Sequence, residues 1–523
     1  MLSRAMQLSF AVMTSDAIDN RVDVLIVGGG INGVGIARDA VGRGLSVALL
    51  EQSDLASATS SAATKLIHGG LRYLEFFEFR LVREALIERE RLLTIAPHII
   101  RPLQFVWPHV EALRPRWQLR IGLFLYDHLG GRERLPSSRG VRIAGTNYGT
   151  ALRDNIKRGF VYADCWADDS RLVVLNALDA AERGAKIHTR TRFIAADSTS
   201  DGWEVQCERL NSGERFTIHA RAVVNAAGPW VERALRNIDD IDDKQKAQVR
   251  LVKGSHIVVP RMYEGDHAFT LQNTDGRVIF TIPYEEHYTV VGTTDVPYDG
   301  DPSQVKISPE EIDYLCKAVN GYFRKQLTAA DVRWSYSGVR PLADDESANV
   351  SKVTRDYRLE LHRSRDGHPM LSIFGGKITT YRKLAEAALE KLHAFVGGST
   401  KEWTDQAALP GGDVPRGDFP TFLSHVRARW TFLPMDLSLR LARAYGTRLN
   451  AILGGAKHLG DLGEHFGAGL TQAEVDYLIA HEWAMTADDV LWRRTKRGLH
   501  MTDAERARVQ QYLEQRRTAS TDA

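Results

Sequence analysis

Gly28, Gly30 and Gly33 stand in GxGxxG spacing, with Gly35 two places further on. In such a run the first glycine allows a tight turn and the second lets backbone approach a pyrophosphate. The third lets a helix pack closely on a strand. A helix that begins here turns N–H donors and a partial positive charge toward a diphosphate. Glu51 follows Gly28 by 23 positions, where a carboxylate at the end of the next strand accepts hydrogen bonds from ribose hydroxyls. The spacing does not separate NAD from FAD. Just beyond it, Ser60, Ser61, Thr64 and Lys65 cluster hydroxyls and a cation, and His68-Gly69-Gly70 follows. These residues read either as a polar loop with a helix cap or as further donors along a flavin's diphosphate and ribityl chain. The second reading makes the nucleotide FAD.

The elements needed to position these groups are visible in the same stretch. Residues 22–27, VDVLIV, form the short continuous apolar run of a buried parallel strand, and Gly28-Gly29-Gly30 stops it. Helical spacing runs from Asn32 to about Val41, and a second strand from Leu45 to Leu50 ends at Glu51, which completes a βαβ unit. An amphipathic helix is predicted over Phe79–Leu93, and later strands over Trp203–Val205 and Arg221–Asn225. The stretch His256–Thr294 is β-rich. Gly375-Gly376-Lys377 ends a strand and opens a helix that runs from about Thr380 to Phe395. Gly397, Gly398 and Pro410-Gly411-Gly412 mark a linker, and helical spacing continues from there to the end.

The chain of 523 residues is long enough for about three modules at roughly 150 residues each. It carries 68 basic against 66 acidic residues, so net charge offers no basis for nucleic-acid binding. Cys165, Cys207 and Cys316 are far apart and odd in number. They suggest neither a disulfide framework nor a zinc site; no metal is expected, and a reducing compartment is. No apolar run approaches the ~18 residues of a spanning helix. The first twenty residues read as a flexible extension without a convincing cleavage site.

Residues 27–44, VGGGINGVGIARDAVGRG, and 375–385, GGKITTYRKLA, resemble the two signature segments of the FAD-dependent, aerobic, quinone-linked glycerol-3-phosphate dehydrogenases. KLIHGGLRYLE, RIGLFLYDHLG, NAAGPW, KGSHIVVPR, GTTDVPYDGDP and SGVRPLADDES resemble that family too, in the same order, so the likeness runs from about Val22 to Gly498. It implies an α/β fold: a Rossmann-like FAD-binding domain with a β-rich substrate cap of the D-amino-acid-oxidase kind, then an all-helical C-terminal domain. The expected division is a flexible extension (1–20), FAD-binding segments (21–95, 161–250 and 336–398), a cap or membrane-facing insertion (96–160), the β-rich cap (251–335) and the helical domain (399–523). The implied reaction oxidises sn-glycerol 3-phosphate to dihydroxyacetone phosphate and passes the electrons to a membrane quinone. Two departures stand out. The N-terminal extension is one; Ala63-Thr64 stands where the family leads us to expect two serines. Thr64 keeps a hydroxyl and Ala63 does not.

The resemblance also implies roles. Oxidising a secondary alcohol through a flavin leaves the protein to orient, deprotonate and stabilise charge. A phosphomonoester dianion calls for forked guanidiniums, and Arg72, Tyr73 and Arg340 lie in the segments that resemble the substrate-binding ones. His256, in Lys253-Gly254-Ser255-His256, is the expected base, with His68 as its rival. Lys377 adds positive charge near substrate or flavin, and Thr380 a hydroxyl. Cofactor contacts are expected from Gly28, Gly30, Gly33, Glu51, Ser60, Ser61, Thr64, Lys65, His68, Gly228, Gly375 and Gly376.

Arg116–Leu129, placed on a helix, gathers Arg116, Arg120 and Asp127 in a polar stripe, while Trp117, Ile121, Phe124, Leu125, Tyr126 and Leu129 cover most of the rest. This fits either a monotopic segment in the headgroup region or a buried helix or subunit contact. The expected setting is peripheral, on the cytoplasmic face of the inner membrane, with a phospholipid surface, the quinone and a second copy in a homodimer as partners, and no nucleic acid. An oxidase that gives its electrons to oxygen is the alternative activity.

Overall fold

A computed structural model of the chain describes residues 20–110, 113–238, 249–343 and 356–521. The expected flexible extension therefore lies, but for Asn20, outside the described residues. The VDVLIV run forms the strand Arg21–Val27, the glycine-led helix is Ile31–Gly42, and the next strand is Val47–Leu50. Arg21–Val27 pairs in parallel with Val47–Leu50 on one side and Arg215–Asn225 on the other. Lys186–His188 and Pro369–Phe374 extend the parallel core, and Arg358–Arg363 closes one edge antiparallel. Val24 and Ile26 pack into one core cluster, Leu25 and Val27 into another on the opposite face. A strand covered on both sides has no room for polar alternation, which is why its buried part, Val24–Val27, is apolar without a break, while Asp23 lies at the partly exposed start. Each side chain so buried contributes on the order of 1.5–3 kcal/mol.

The second sheet is the cap. Its strands come from separate stretches of chain: Leu66–Ile67, Ile100–Pro108, Arg139–Arg142 and Arg158–Ala167, then Val249–Pro260 through to Trp334–Ala343. Three of the expected domain cuts, at 160/161, 250/251 and 335/336, fall inside strands of this sheet. Composition could not show this, because ladder pairing joins residues across those cuts: Ile100–Pro108 pairs with Arg158–Ala167, and Val249–Pro260 with Trp334–Ala343.

Phe419–Arg429, Met435–Tyr445, Leu449–Leu453, Gln472–Glu482 and Asp503–Thr521 make the C-terminal domain helical, with one short hairpin of His465–Gly467 and Leu470–Thr471. A π-helical turn, Asp489–Arg494, brings it against the body of the molecule. There Arg493 and Arg494 donate to the buried Asp54, Arg171 pairs with Glu482, and Lys496 Nζ lies 2.5 Å from Asp168.

Candidate functional site

The glycine turn is built for close approach. Gly28 holds φ +117°, and a Cβ there would stand 2.4 Å from the Ala226 carbonyl oxygen; at Gly33 it would stand 1.9 Å from the Gly28 oxygen. Both contacts are impossible for any other residue. Helix Ile31–Gly42 has Gly30 as its N-cap and so no side-chain cap of its own; Ser60 Oγ supplies one, accepting from Ile31 N–H at 3.0 Å. Glu51 accepts from Gly29 N–H (2.8 Å) and Ser53 N–H (2.7 Å), while burial raises its pKa. Gly228 follows strand Arg215–Asn225 two residues after Ala226, with φ +56°. Asn32 Nδ2 donates to the Gly375 oxygen at 3.1 Å, which brings the second glycine turn to the same helix end. Glycines without room for a Cβ, helix-end N–H groups and an acid at the second strand's end are what a dinucleotide requires, so these residues fit FAD. The helix after Gly376 begins where expected, at Tyr381 with Thr380 as N-cap; residues 375–380 lead into it as a loop and turn, and Thr380 is buried.

Across from this turn lies one face of the cap sheet. Strands Val249–Pro260 and Trp334–Ala343 are antiparallel, in a register that sets His256 opposite Tyr336, Gly254 opposite Gly338 and Val252 opposite Arg340. Side chains alternate along a strand, so Trp334, Tyr336, Gly338 and Arg340 share a face with Gly254 and His256. The two facing glycines carry no side chain between His256 and Arg340, and other groups pack onto them. A Cβ on Gly254 would stand 3.0 Å from Arg340 Nη2, and one on Gly338 would meet Ala62 Cβ of the loop Thr59–Lys65 at 2.9 Å; in that loop Thr59 Oγ1 donates to the Val339 oxygen at 2.6 Å. Arg340 Nη1 is held by Asp295 Oδ1 at 2.8 Å, with the guanidinium about one-third exposed (31%).

His256 is fully buried. Its Nε2 lies 3.0 Å from Thr64 Oγ1, and its Nδ1 has no hydrogen-bond partner among the described residues. Burial, then the positive charges of Lys65 and Arg340, hold its pKa well below the ordinary imidazole value, so the ring is neutral and able to accept a proton. His68 is placed differently. Its Nδ1 accepts from Gly70 N–H at 3.0 Å, which in the neutral ring puts the proton on Nε2. Thr379 Oγ1 meets the His68 backbone N–H at 3.3 Å, and Lys377 Nζ stands 3.9 Å from the centre of the Tyr73 ring. The loop of His68, Arg72 and Tyr73 is thus joined to the turn of Lys377 and Thr380. Arg72 lies beside Tyr73 on the short helix Leu71–Phe76 and is half-buried.

Lys65, expected among the cofactor contacts, has close partners within the protein. Its ammonium is buried and held by Asp169 (2.7 and 2.8 Å) and the Ser61 oxygen (2.6 Å), so its charge stabilises the loop's shape. Ser61 Oγ likewise turns back to the Ala58 oxygen at 3.2 Å. Neither Asp169, Asp295 nor Tyr336 stood out in the sequence. The alternation Trp334, Tyr336, Gly338, Arg340 was the available signal for the last.

Helix Arg116–Leu129 has the expected bounds but a different orientation. Leu119, Leu123 and Tyr126 are buried, and Tyr126 is fixed because its hydroxyl accepts from Gly69 N–H (2.7 Å) and donates to Asp164 (2.7 Å). Trp117, Ile121 and Phe124 form the exposed face, with Phe76, Phe77 and Phe79 also exposed on the preceding segment. No helix among the described residues is long and apolar enough to cross a membrane.

A sheet of this topology with this glycine turn defines a flavin-dependent oxidoreductase. The FAD dependent oxidoreductase family matches residues 23–382, and the C-terminal domain of alpha-glycerophosphate oxidase matches residues 402–515. The chain is 54% identical over 492 residues to a glycerol-3-phosphate dehydrogenase of Pseudomonas aeruginosa, covering 94% of this chain and 95% of that one. It is 51% identical over 488 residues to a D-erythritol 1-phosphate dehydrogenase of Brucella abortus, covering 93% and 96%. The glycerol-3-phosphate dehydrogenase of Bacillus halodurans complexed with FAD superposes with a TM-score of 0.71 at 28% identity, over 95% of this chain and 94% of that one. The chain belongs to the FAD-dependent glycerol-3-phosphate dehydrogenase family, and FAD is its cofactor.

Proposed function

We propose that this protein oxidises sn-glycerol 3-phosphate to dihydroxyacetone phosphate and passes the electron pair to a membrane quinone. The observation that carries the reading is the placement of His256 and Arg340 on one face of the cap sheet, beside the loop that caps the nucleotide-binding helix. Arg340 and Arg72, with the Tyr73 hydroxyl, hold the phosphate dianion through charge-assisted bonds. That places the C2 hydroxyl toward His256, whose neutral ring takes the proton. His68 suits this less, since the hydrogen bond from Gly70 already uses its lone pair. When bound, FAD supplies the acceptor for the C2 hydride. Lys377 offsets negative charge near the reacting carbon, Gly375-Gly376 let backbone come close to the cofactor, and the covering loop excludes water.

The exposed face of Trp117, Ile121 and Phe124, with Phe76, Phe77 and Phe79, supports a peripheral seat on the cytoplasmic side of the inner membrane, where a quinone is met. The relative that acts on D-erythritol 1-phosphate favours a second reading in which a longer phosphorylated polyol occupies the same site. Initial rates with glycerol 3-phosphate, D-erythritol 1-phosphate and unphosphorylated glycerol, each with a short-chain quinone, test the proposal. Glycerol 3-phosphate should have the highest kcat/KM and glycerol almost none. A higher value for the erythritol ester would establish the second reading. Peroxide formed in step with product, without quinone, would make the protein an oxidase.

A further inference from the structure

Four aromatic rings stand in file from His256 to the C-terminal domain. The His256 ring stacks on Tyr336 with centroids 4.7 Å apart and planes inclined by 15°. Tyr336 meets Trp334 at 5.2 Å, and Trp334 stacks on Trp492 at 5.1 Å and 23°. The first three rings belong to the cap sheet; Trp492 belongs to the π-helical turn Asp489–Arg494. On its other side His256 packs against the Gly292 backbone, where a Cβ would stand 2.0 Å from Cδ2. The ring is therefore held between Gly292 and Tyr336.

Tyr336 is in turn fixed from two directions. Its hydroxyl donates to the Ala63 oxygen at 3.2 Å, and Lys65 Nζ sits 4.7 Å from the ring centre. Trp492 is anchored through its neighbours: Arg493 and Arg494 reach Asp54, Arg190 reaches Asp489, and Lys496 reaches Asp168 and Ser170. Asp54, Asp168, Ser170 and Arg190 lie on the FAD-binding body. The far end of the aromatic file is thus tied to the part of the molecule that holds the cofactor, while its near end is the candidate base on the cap.

We propose that Tyr336 is a positioning residue for His256, and that the C-terminal domain takes part in substrate oxidation by bracing Tyr336 through Trp334 and Trp492. The proposal rests on the reading of His256 as the base. A base must sit within hydrogen-bond reach of the proton it removes. The His256 ring has one side-chain hydrogen bond, from Nε2 to Thr64, and none at Nδ1 among the described residues, so its tilt and placement depend strongly on what it packs against. The file therefore makes the relative position of cap, cofactor domain and C-terminal domain a determinant of turnover. The charged and titratable groups facing the His256 ring are Lys65, Arg340 and Tyr336.

The test uses the FAD-loaded full chain and reads two quantities: steady-state constants, and the rate at which diethyl pyrocarbonate modifies His256, followed by peptide mass spectrometry. Tyr336→Leu should lower kcat by roughly 10²-fold, the loss typical of a reacting group displaced by about 1 Å, with KM little changed. It should also raise the His256 modification rate at least about tenfold, because a buried ring becomes mobile. Tyr336→Phe keeps the stack and should restore both. Trp492→Leu, remote from the substrate, should move both readouts in the same direction by a few-fold, and Trp492→Phe should restore them. If Tyr336→Leu does not retain FAD, the Trp492 pair decides the matter. Wild-type kcat and modification rate in Trp492→Leu would overturn the role of the C-terminal domain, and the same result in Tyr336→Leu would overturn the whole proposal. His256→Asn separates the underlying reading: unchanged kcat there would refute His256 as base, whatever the modification rates show.

Discussion

His256 and Arg340 project from neighbouring antiparallel strands on the same face of the cap sheet, and the facing glycines Gly254 and Gly338 lie between them. Four residues of strand separate Arg340 from the partner of His256, roughly 13 Å at about 3.3 Å per residue. A small molecule with a hydroxyl near one end and a dianion at the other suits that interval once the arginine side chain reaches inward.

Pushing the loop Thr59–Lys65 off this face should therefore weaken substrate binding before it removes the cofactor. Gly338→Val places a branched side chain against Ala62 and should raise KM for glycerol 3-phosphate by at least about tenfold, with overpacking costing about 1–3 kcal/mol of stability. Flavin content, measured by absorbance of the purified variant, should stay near one per chain. Loss of flavin with KM unchanged would show that the packing at Gly338 serves the cofactor and not the substrate.

Arg340→Ala removes a guanidinium able to make charge-assisted bonds worth about 1.5–3 kcal/mol each. The expected result is a fall in kcat/KM of roughly 10–150-fold per bond lost, with little change in melting temperature, since the partner Asp295 lies beside a partly exposed group. Unfolding or flavin loss would mean that the Arg340–Asp295 pair is chiefly structural.

Much of this was legible locally. The VDVLIV strand, the glycine-led helix and Glu51 all lie within about thirty residues, so a local pattern reveals them even though Ser60 and the strand Arg215–Asn225 complete the site. The helix Arg116–Leu129 was also legible from its period, but not its outward face. The sequence grouped Tyr126 with the other apolar side chains without deciding between lipid and core, whereas Gly69 and Asp164, 57 and 38 residues away, draw its hydroxyl inward. Lys65 is a similar case: Asp169 neutralises it from 104 residues away. Tyr336 escaped notice because only the strand register sets it opposite His256, 80 residues earlier. Long-range partners decide which way a polar group faces, and no local pattern carries them.

The corrected helix face gives a sharper membrane test. Trp117, Ile121 and Phe124 recur at i, i+4 and i+7 and are exposed. Trp117→Gln with Phe124→Ser should leave folding and activity with a soluble dye intact, while flotation with anionic liposomes and turnover of a long-chain quinone fall together. Joint loss of dye and quinone activities would place those side chains in the fold's own interior.

Acid should weaken the fold in part through His98. Burial first, then Arg171 and Arg443, depress its pKa to about 3, against about 6.5 in the unfolded chain. Between those values the unfolded state binds a proton that the native state does not. The contribution is complete above pH 6.5 and is lost at about 1.4 kcal/mol per unit as pH falls toward 3. Denaturant unfolding from pH 7 to 5 should show a slope shallower by about that amount in His98→Phe than in the wild type. Identical slopes would contradict a neutral buried His98.

The central claim is that the alcohol carbon of a phosphorylated polyol, held by Arg340 and deprotonated by His256, gives its hydride to FAD. Anaerobic titration of the purified holoenzyme with sn-glycerol 3-phosphate, followed at the flavin's visible band, tests it most directly. Bleaching should be complete, with one dihydroxyacetone phosphate formed per FAD, and colour should return on adding a quinone. A visible band left unchanged by saturating glycerol 3-phosphate, in enzyme carrying a full complement of FAD, would contradict it.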